Sequence, residues 1–252
     1  MDFEARAGGR MNFDPNRVVH SVRERLHWAD FSGRKLMLFT ATGSRFEQCC
    51  FDKTKIDDVK FGAGREVSEY LDCSFDGARM RAPTPGFARF VRCSFREVDL
   101  RDWFCFDVEL VDCTFSGRLR GGWFNGTVPE EDRLTAGREH NEFHGNDFSA
   151  MELIDVDFRT GIDLTKQCLP SSSEYVYVPN AAAAVEKARA VVTHWGDLDL
   201  RRRAMVEIKI LERSVAAGQR QFFLRPAEAY KALGKDAVDQ LYGLLRLHGG
   251  GE

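Results

Sequence analysis

Apolar side chains recur along this chain at a step of five. From Phe31 the step visits Leu36, Ala41, Phe46, Phe51, Ile56 and Phe61. From Tyr70 it visits Phe75, Met80, Pro85, Phe90, Phe95, Leu100, Cys105, Leu110 and Phe115, and a third run reads Phe143, Phe148, Leu153 and Phe158. Two positions before many of these sits a compact residue: Ala29, Ser44, Cys49, Thr54, Cys73, Ala78, Ala88, Cys93 and Cys113. Neither the helical period of 3.6 nor the strand period of 2 produces such a step. A longer period is nested in the short one. The hexapeptides Phe46–Phe51, Tyr70–Phe75, Phe90–Phe95 and Leu110–Phe115 are near copies whose cysteines lie 24, 20 and 20 residues apart. Leu153–Phe158 is a further copy, with Val156 in the place of cysteine. Four fives make twenty, so the pattern predicts a square coil with four five-residue faces per turn.

These residues, and Ala29-Asp30-Phe31-Ser32-Gly33 above all, resemble the pentapeptide-repeat family over roughly residues 29–164. The resemblance implies a mainly β fold with some α: a right-handed quadrilateral β-helix, capped by an N-terminal helix and a C-terminal helical module. Coils of such a solenoid stack at the ~4.8 Å spacing of paired strands. No coil buries its apolar residues alone, so stability comes from neighbour on neighbour. Phe51, Phe75, Phe95 and Phe115 are then expected to form one interior column, and Cys49, Cys73, Cys93 and Cys113 a narrower one beside it. Stacked down a core, those thiols lack the convergent geometry of a metal site.

Two interruptions and two ends complete the expected organisation. Gly62-Ala63-Gly64 reads as a short bulge that lengthens one coil. Residues 116–141, with Gly121-Gly122-Trp123-Phe124-Asn125-Gly126 and Pro129-Glu130-Glu131-Asp132, read as a loop projecting from one edge, with room in it for a distorted strand. Residues 1–28 are assigned to an N-terminal segment in which Asp14-Pro15 opens a helix, with Val18, Val19, Val22 and Leu26 on one face. Residues 29–165 make the solenoid and 166–252 the helical module. The module is expected to hold a strand at Tyr175–Val178 and helices near 180–195, 199–217 (capped by Asp199) and 226–247. The apolar last helix is expected to pair two copies of the chain or to cover the final coil.

Composition narrows the function. Lys and Arg total 36 against 39 Asp and Glu, a net charge of −3, which excludes a strongly basic nucleic-acid binder. Residues 46–164 carry 24 acidic and 15 basic side chains, while both flanks are mildly basic. No apolar run approaches ~18 residues, so no membrane-spanning helix is expected. Neither is a secretory signal, because Met1 to Asn12 lacks an apolar stretch. Seven cysteines, an odd number, point to reduced thiols and a cytoplasmic location.

No phosphate loop, dinucleotide fingerprint or nucleophile elbow is present. His140 and His144 flank Glu142, but Phe143 in repeat register makes their backbone extended, so they do not share a helical face. Asp155 and Asp157 flank inward Val156 and are expected to face solvent. The expected function is a non-catalytic protein-binding scaffold without cofactor or metal. Its candidate partner-binding residues are Trp123, Phe124, Glu130, Glu131 and Asp132 in the loop and Arg201, Arg202 and Arg203 at a helix start. The resemblance implies an alternative partner, because some members of the family imitate B-form DNA and protect gyrase, a type II topoisomerase, from inhibitors. Arg89, Arg92, Arg96 and Arg101 place positive charge on the rod and count against that alternative. An enzymatic or ligand-binding role for the helical module is the third reading.

Overall fold

The computed structural model describes residues 12–14, 17–80 and 83–249, with side chains described for 17–80 and 83–246. The chain separates into two compact units. One holds the chain up to Val156 together with Thr165–Pro170, and the other holds Asp157–Leu164 together with the chain from Ser171.

The first unit is a parallel β-solenoid. One sheet stacks Val18–Val22, Lys35–Thr42, Lys55–Gly62, Arg79–Met80, Ser94–Cys105, Thr114–Asn125 and Asp147–Arg159, with Pro83–Gly86 also paired to Lys55–Gly62. A second stacks Arg25–His27, Arg45–Glu47, Ser68–Leu71, Ala88–Val91, Glu109–Val111 and Phe143–His144. A third line of parallel bridges joins Asp30, Cys50, Ser74 and Ser94. The register steps by twenty in most places, as in Leu26 to Phe46 and Phe90 to Leu110, and by nineteen from Val98 opposite Gly117 to Cys105 opposite Phe124, after a bulge between Phe95 and Val98. It steps by twenty-four across the Gly62–Gly64 bulge, from Phe46 to Tyr70.

Each five-residue face turns two side chains inward. Cys49 with Phe51, Cys73 with Phe75, Ala88 with Phe90 and Cys93 with Phe95 are all buried, while the residues between them are only half-buried. The corner follows two residues after the second inward side chain. Gln48, Lys53, Asp72, Arg92, Asp102 and Asp112 take left-handed backbone there, with φ of 52–56°. Glycine takes the same place at Gly33, Gly77 and Gly145. At the corner the backbone N–H turns to the next coil: Asp72 N donates to Val91 O at 2.9 Å and Arg92 N to Val111 O at 2.8 Å. Left-handed backbone is tolerated best by Gly, Asn and Asp, which accounts for part of the glycine content.

Coil stacking fixes the interior. Phe31, Phe51, Phe75, Phe95, Phe115 and Phe148 form one column with successive ring centroids 4.6, 4.8, 4.7, 5.0 and 4.5 Å apart and planes within 8° of parallel. The expected column of Phe51, Phe75, Phe95 and Phe115 is thus present and one ring longer at each end. A second stack runs Phe46, Tyr70 and Phe90, at 4.8 and 4.7 Å. Tyr70 is fully buried and donates its hydroxyl to Phe61 O at 2.9 Å, so its polar end is satisfied.

The four thiols of Cys49, Cys73, Cys93 and Cys113 are buried and lie one above another. Each points at the preceding coil's carbonyl: Cys73 Sγ lies 3.4 Å from Phe46 O and Cys93 Sγ 3.2 Å from Tyr70 O. Burial pushes the Cys93 thiol well up, so it stays protonated. At the next level Asn146 replaces cysteine, and its side-chain N–H donates to Leu110 O at 2.8 Å. Gln167 follows, donating to Phe143 O at 3.0 Å while its own carbonyl accepts from Asn146. Amides therefore continue the thiol ladder toward the later coils.

Two expectations for this unit need correction. Val18–Val22 and Arg25–His27 form strands of the first coil instead of a capping helix, and Asn12–Asp14 pairs antiparallel along Val18–Val22. The valines fit the coil: Val19 lies opposite Phe39 and Leu26 opposite Phe46, and β-branched residues favour strands. Pro15, the expected first helical residue, lies outside the described residues. The projecting segment is also shorter than 116–141, because Thr114–Asn125 is a full strand paired to Ser94–Cys105. Its glycines lie where the chain runs against its neighbour. A Cβ on Gly117 (φ +100°) would sit 2.3 Å from Val98 O, and one on Gly122 (φ +149°) 2.5 Å from Trp103 O.

The second unit contains an antiparallel strand pair, Val176–Val178 with Phe222–Leu224. Counting the short helix α1 (Arg133–Ala136) of the solenoid's loop, its helices are α2 (Ala181–Val192), α3 (Leu198–Ala216), α4 (Tyr230–Leu233) and α5 (Lys235–Gly249). Ala184, Ala188 and Val192 pack with Ala204, Ile208, Val238, Leu241 and Leu245 in one core. Asn180 caps α2 through Ala183 N at 3.2 Å. The cap of α3 is Asp197, which accepts from Asp199 N and Leu200 N, and not Asp199 as expected. The last helix is also not continuous. Gly234, at φ +79° and ψ 155°, ends α4 before α5 begins.

Removing one ring of the column tests this packing. Phe95→Ala is expected to lower unfolding free energy by about 3–5 kcal/mol in urea titration, because a ring-sized void opens between two stacked neighbours. Phe95→Leu should cost clearly less, since it keeps most of the volume.

Candidate functional site

The solenoid's outer surface departs from its repeat at one edge. Between Asn125 and Phe143 the chain leaves the coil and makes a short 3-10 turn at Glu130–Asp132. It continues into α1 and returns through Gly137, which takes left-handed backbone at φ 68°. Side chains of the loop's return limb hold its base. Asn141 is buried and donates to Phe106 O at 2.8 Å and Asn125 O at 2.9 Å. Arg138 donates to Asp107 O at 2.7 Å and also pairs with Glu109, which Arg89 joins at 3.0 Å. Thr127 and His140 close a backbone bridge across the loop. At the far side, Leu134 is 97% exposed on α1.

The expected loop residues are divided by this arrangement. Glu130 and Glu131 are exposed and Asp132 half-buried at the start of α1. Phe124 is not available to a partner: it is 1% exposed and packs edge-on against Trp103 at 5.7 Å, because its position in the strand turns inward. Trp123, the next residue round, faces outward. It lies against Phe104 at 4.2 Å and Phe106 at 5.4 Å, and Phe106 is 44% exposed. Phe104, Phe106 and Leu134 were absent from the expected site. For Phe104 and Phe106 an apolar residue at an outward position of the repeat was the available signal, while Leu134 lies in the loop, outside the repeat, and carried none.

Beside this cluster lies an open cleft of about 360 Å³, lined by Pro83–Gly86, Asp102, Phe104, Phe106 and Asp107. Asp107 is 8% exposed, and its Oδ1 has no hydrogen-bond partner among the described residues. Burial, reinforced by the negative charge of Asp132 and Glu131 and opposed by Arg138, pushes its carboxyl up to about 6 from 3.8. The folded state therefore holds a proton on Asp107 that the unfolded chain has lost, so stability falls as pH rises from about 4 to 6.

The other charged candidates have neighbours of their own. Arg201 donates to Thr193 O at 3.2 Å, Arg203 donates to Ala232 O at 2.9 Å and pairs with Asp199, and Arg202 is exposed. His140 and His144 are both exposed. Among the described residues no three His, Cys, Asp or Glu side chains converge as metal ligands. No helix among the described residues is long and apolar enough to cross a membrane.

No family model matches the chain, and no curated protein matches it. Among solved structures, two trypsin-treated forms of QnrB1, a plasmid-mediated fluoroquinolone resistance protein, are similar. One shows 12% identity over 57% of this chain and 79% of that one, with a TM-score of 0.30. The other shows 13% identity over 60% and 77%, with a TM-score of 0.27. Full-length QnrB1 shows 16% identity over 61% and 91%, with a TM-score of 0.16. Likenesses this loose say nothing of shared partners, and the solenoid fold stands on this chain's own coil register.

Asp107→Asn removes the buried charge while keeping the shape. The variant is expected to melt a few degrees above the parent at pH 8 and level with it at pH 4, as read by calorimetry across that range.

Proposed function

We propose that this protein is a non-catalytic scaffold that binds another protein through the solenoid edge carrying the 126–142 loop. The observation that carries this reading is Leu134, an almost fully exposed leucine on a loop whose base is fixed by Asn141 and Arg138. A leucine held in water costs free energy that docking into an apolar pocket recovers. A tethered base keeps the ordering cost of docking low. Glu130 and Glu131 beside it favour a partner with a basic rim around that pocket.

A gyrase partner reading a DNA-like surface has less support. Several carboxylates of the rod are engaged with arginines of other coils: Asp72 with Arg92, Glu69 with Arg45, Glu66 with Arg23 and Glu152 with Arg118. Paired charges do not make the continuous negative stripe of a phosphate backbone.

Leu134→Asp tests the proposal. Partner capture from the native cell by the full chain should be lost in the variant, while urea unfolding stays within about 0.5 kcal/mol of the parent. Capture that survives Leu134→Asp together with Glu130→Gln and Glu131→Gln contradicts it.

A further inference from the structure

We infer that the cleft between Pro83–Gly86 and Phe106 is a subsite for an arginine side chain presented by the partner protein. The cleft combines two kinds of wall. Phe104 and Phe106 supply aromatic surface, with Trp123 packed behind them at 4.2 and 5.4 Å. Asp102 and Asp107 supply carboxylates. A flat apolar wall beside a carboxylate suits a guanidinium, which stacks on rings and donates in a planar fork. An ammonium matches the charge and not the plane.

Asp107 carries the argument furthest. Its side chain is more than nine-tenths buried, it lines the cleft, and its Oδ1 accepts no hydrogen bond among the described residues. The adjacent cation does not fill that need. Arg138 directs its donors to Asp107 O, Asn141 Oδ1 and Ala136 O, and pairs with Glu109. A carboxylate with so little solvent around it is costly when ionised, and a guanidinium in the cleft offsets that charge. The volume of about 360 Å³ holds one long side chain with its stem. Charge agrees as well, because Glu131 and Asp132 of the neighbouring loop add negative potential at Asp107.

This subsite rests on the protein-binding reading above and adds the chemistry of one contact. The probe is acetyl-Gly-Arg-Gly-amide, compared with the same peptide carrying citrulline, which keeps the planar shape and loses the charge. Titration into the full-length protein, followed by NMR of the aromatic rings, should show saturable shifts at Phe104, Phe106 and Trp123 with the arginine peptide. Citrulline should bind at least about tenfold more weakly, as should the arginine peptide with Asp107→Asn or Phe106→Ala protein. Melting curves of both variants confirm that the solenoid is intact.

Equal binding of the two peptides, no ring shifts up to millimolar peptide, or unchanged binding to Asp107→Asn overturns the subsite. If Leu134-dependent capture persists in that event, the scaffold reading stands and only the arginine contact falls. If the arginine peptide binds while capture does not depend on Leu134, the loop reading falls and the subsite remains.

Discussion

Every other feature of the solenoid depends on keeping equivalent residues of successive coils in register at strand spacing. Parallel pairing places those residues one above another, about 4.8 Å apart. Flat rings accept that distance almost without adjustment, and the six phenylalanines from Phe31 to Phe148 lie 4.5–5.0 Å from ring to ring. A slip of one residue would turn Phe95 outward and bring Ser94 or Arg96 inward. The column therefore does more than fill space, because it makes the wrong registers expensive. Thiols suit the narrow place beside the rings, being small and weakly polar.

The same constraint separates packing from function. Inward positions are committed to neighbours above and below, so the freedom to vary lies at outward positions and at corners. The 126–142 loop leaves the coil at a corner and rejoins it with Phe143 opposite Leu110, so the insertion costs the ladder no register. Phe104 and Trp123 sit on the outside of strands whose inward residues, Trp103 and Phe124, complete the core, and Phe106 follows just past the end of the first strand. One edge thus serves both as wall and as surface without trading one role against the other.

Much of this was legible in the residue order. The spacing of Cys73, Cys93 and Cys113 and of the phenylalanines beside them states the coil length directly. Less legible were places where two patterns share the same residues. Val18, Val19, Val22 and Leu26 satisfy a helical face and a coil equally, and only pairing with Phe39 and Phe46 decides between them. Gly121 and Gly122 look like a loop in sequence, yet they are strand residues that let one coil approach the next. Within the candidate site, Glu130 and Glu131 were visible from their sequence, and Trp123 from its place in the glycine-rich run. Leu134 and Asp107 were not, because exposure and burial at non-repeat positions follow from where the loop folds back and not from any period.

The most direct test is the distance between rings twenty residues apart. With phenylalanine-selective labelling, NOE spectroscopy should show strong ring-to-ring cross-peaks for Phe75 with Phe95 and Phe95 with Phe115, and none between Phe75 and Phe115. Absence of the Phe75–Phe95 peak in the folded protein would contradict the stacked coil and everything built on it.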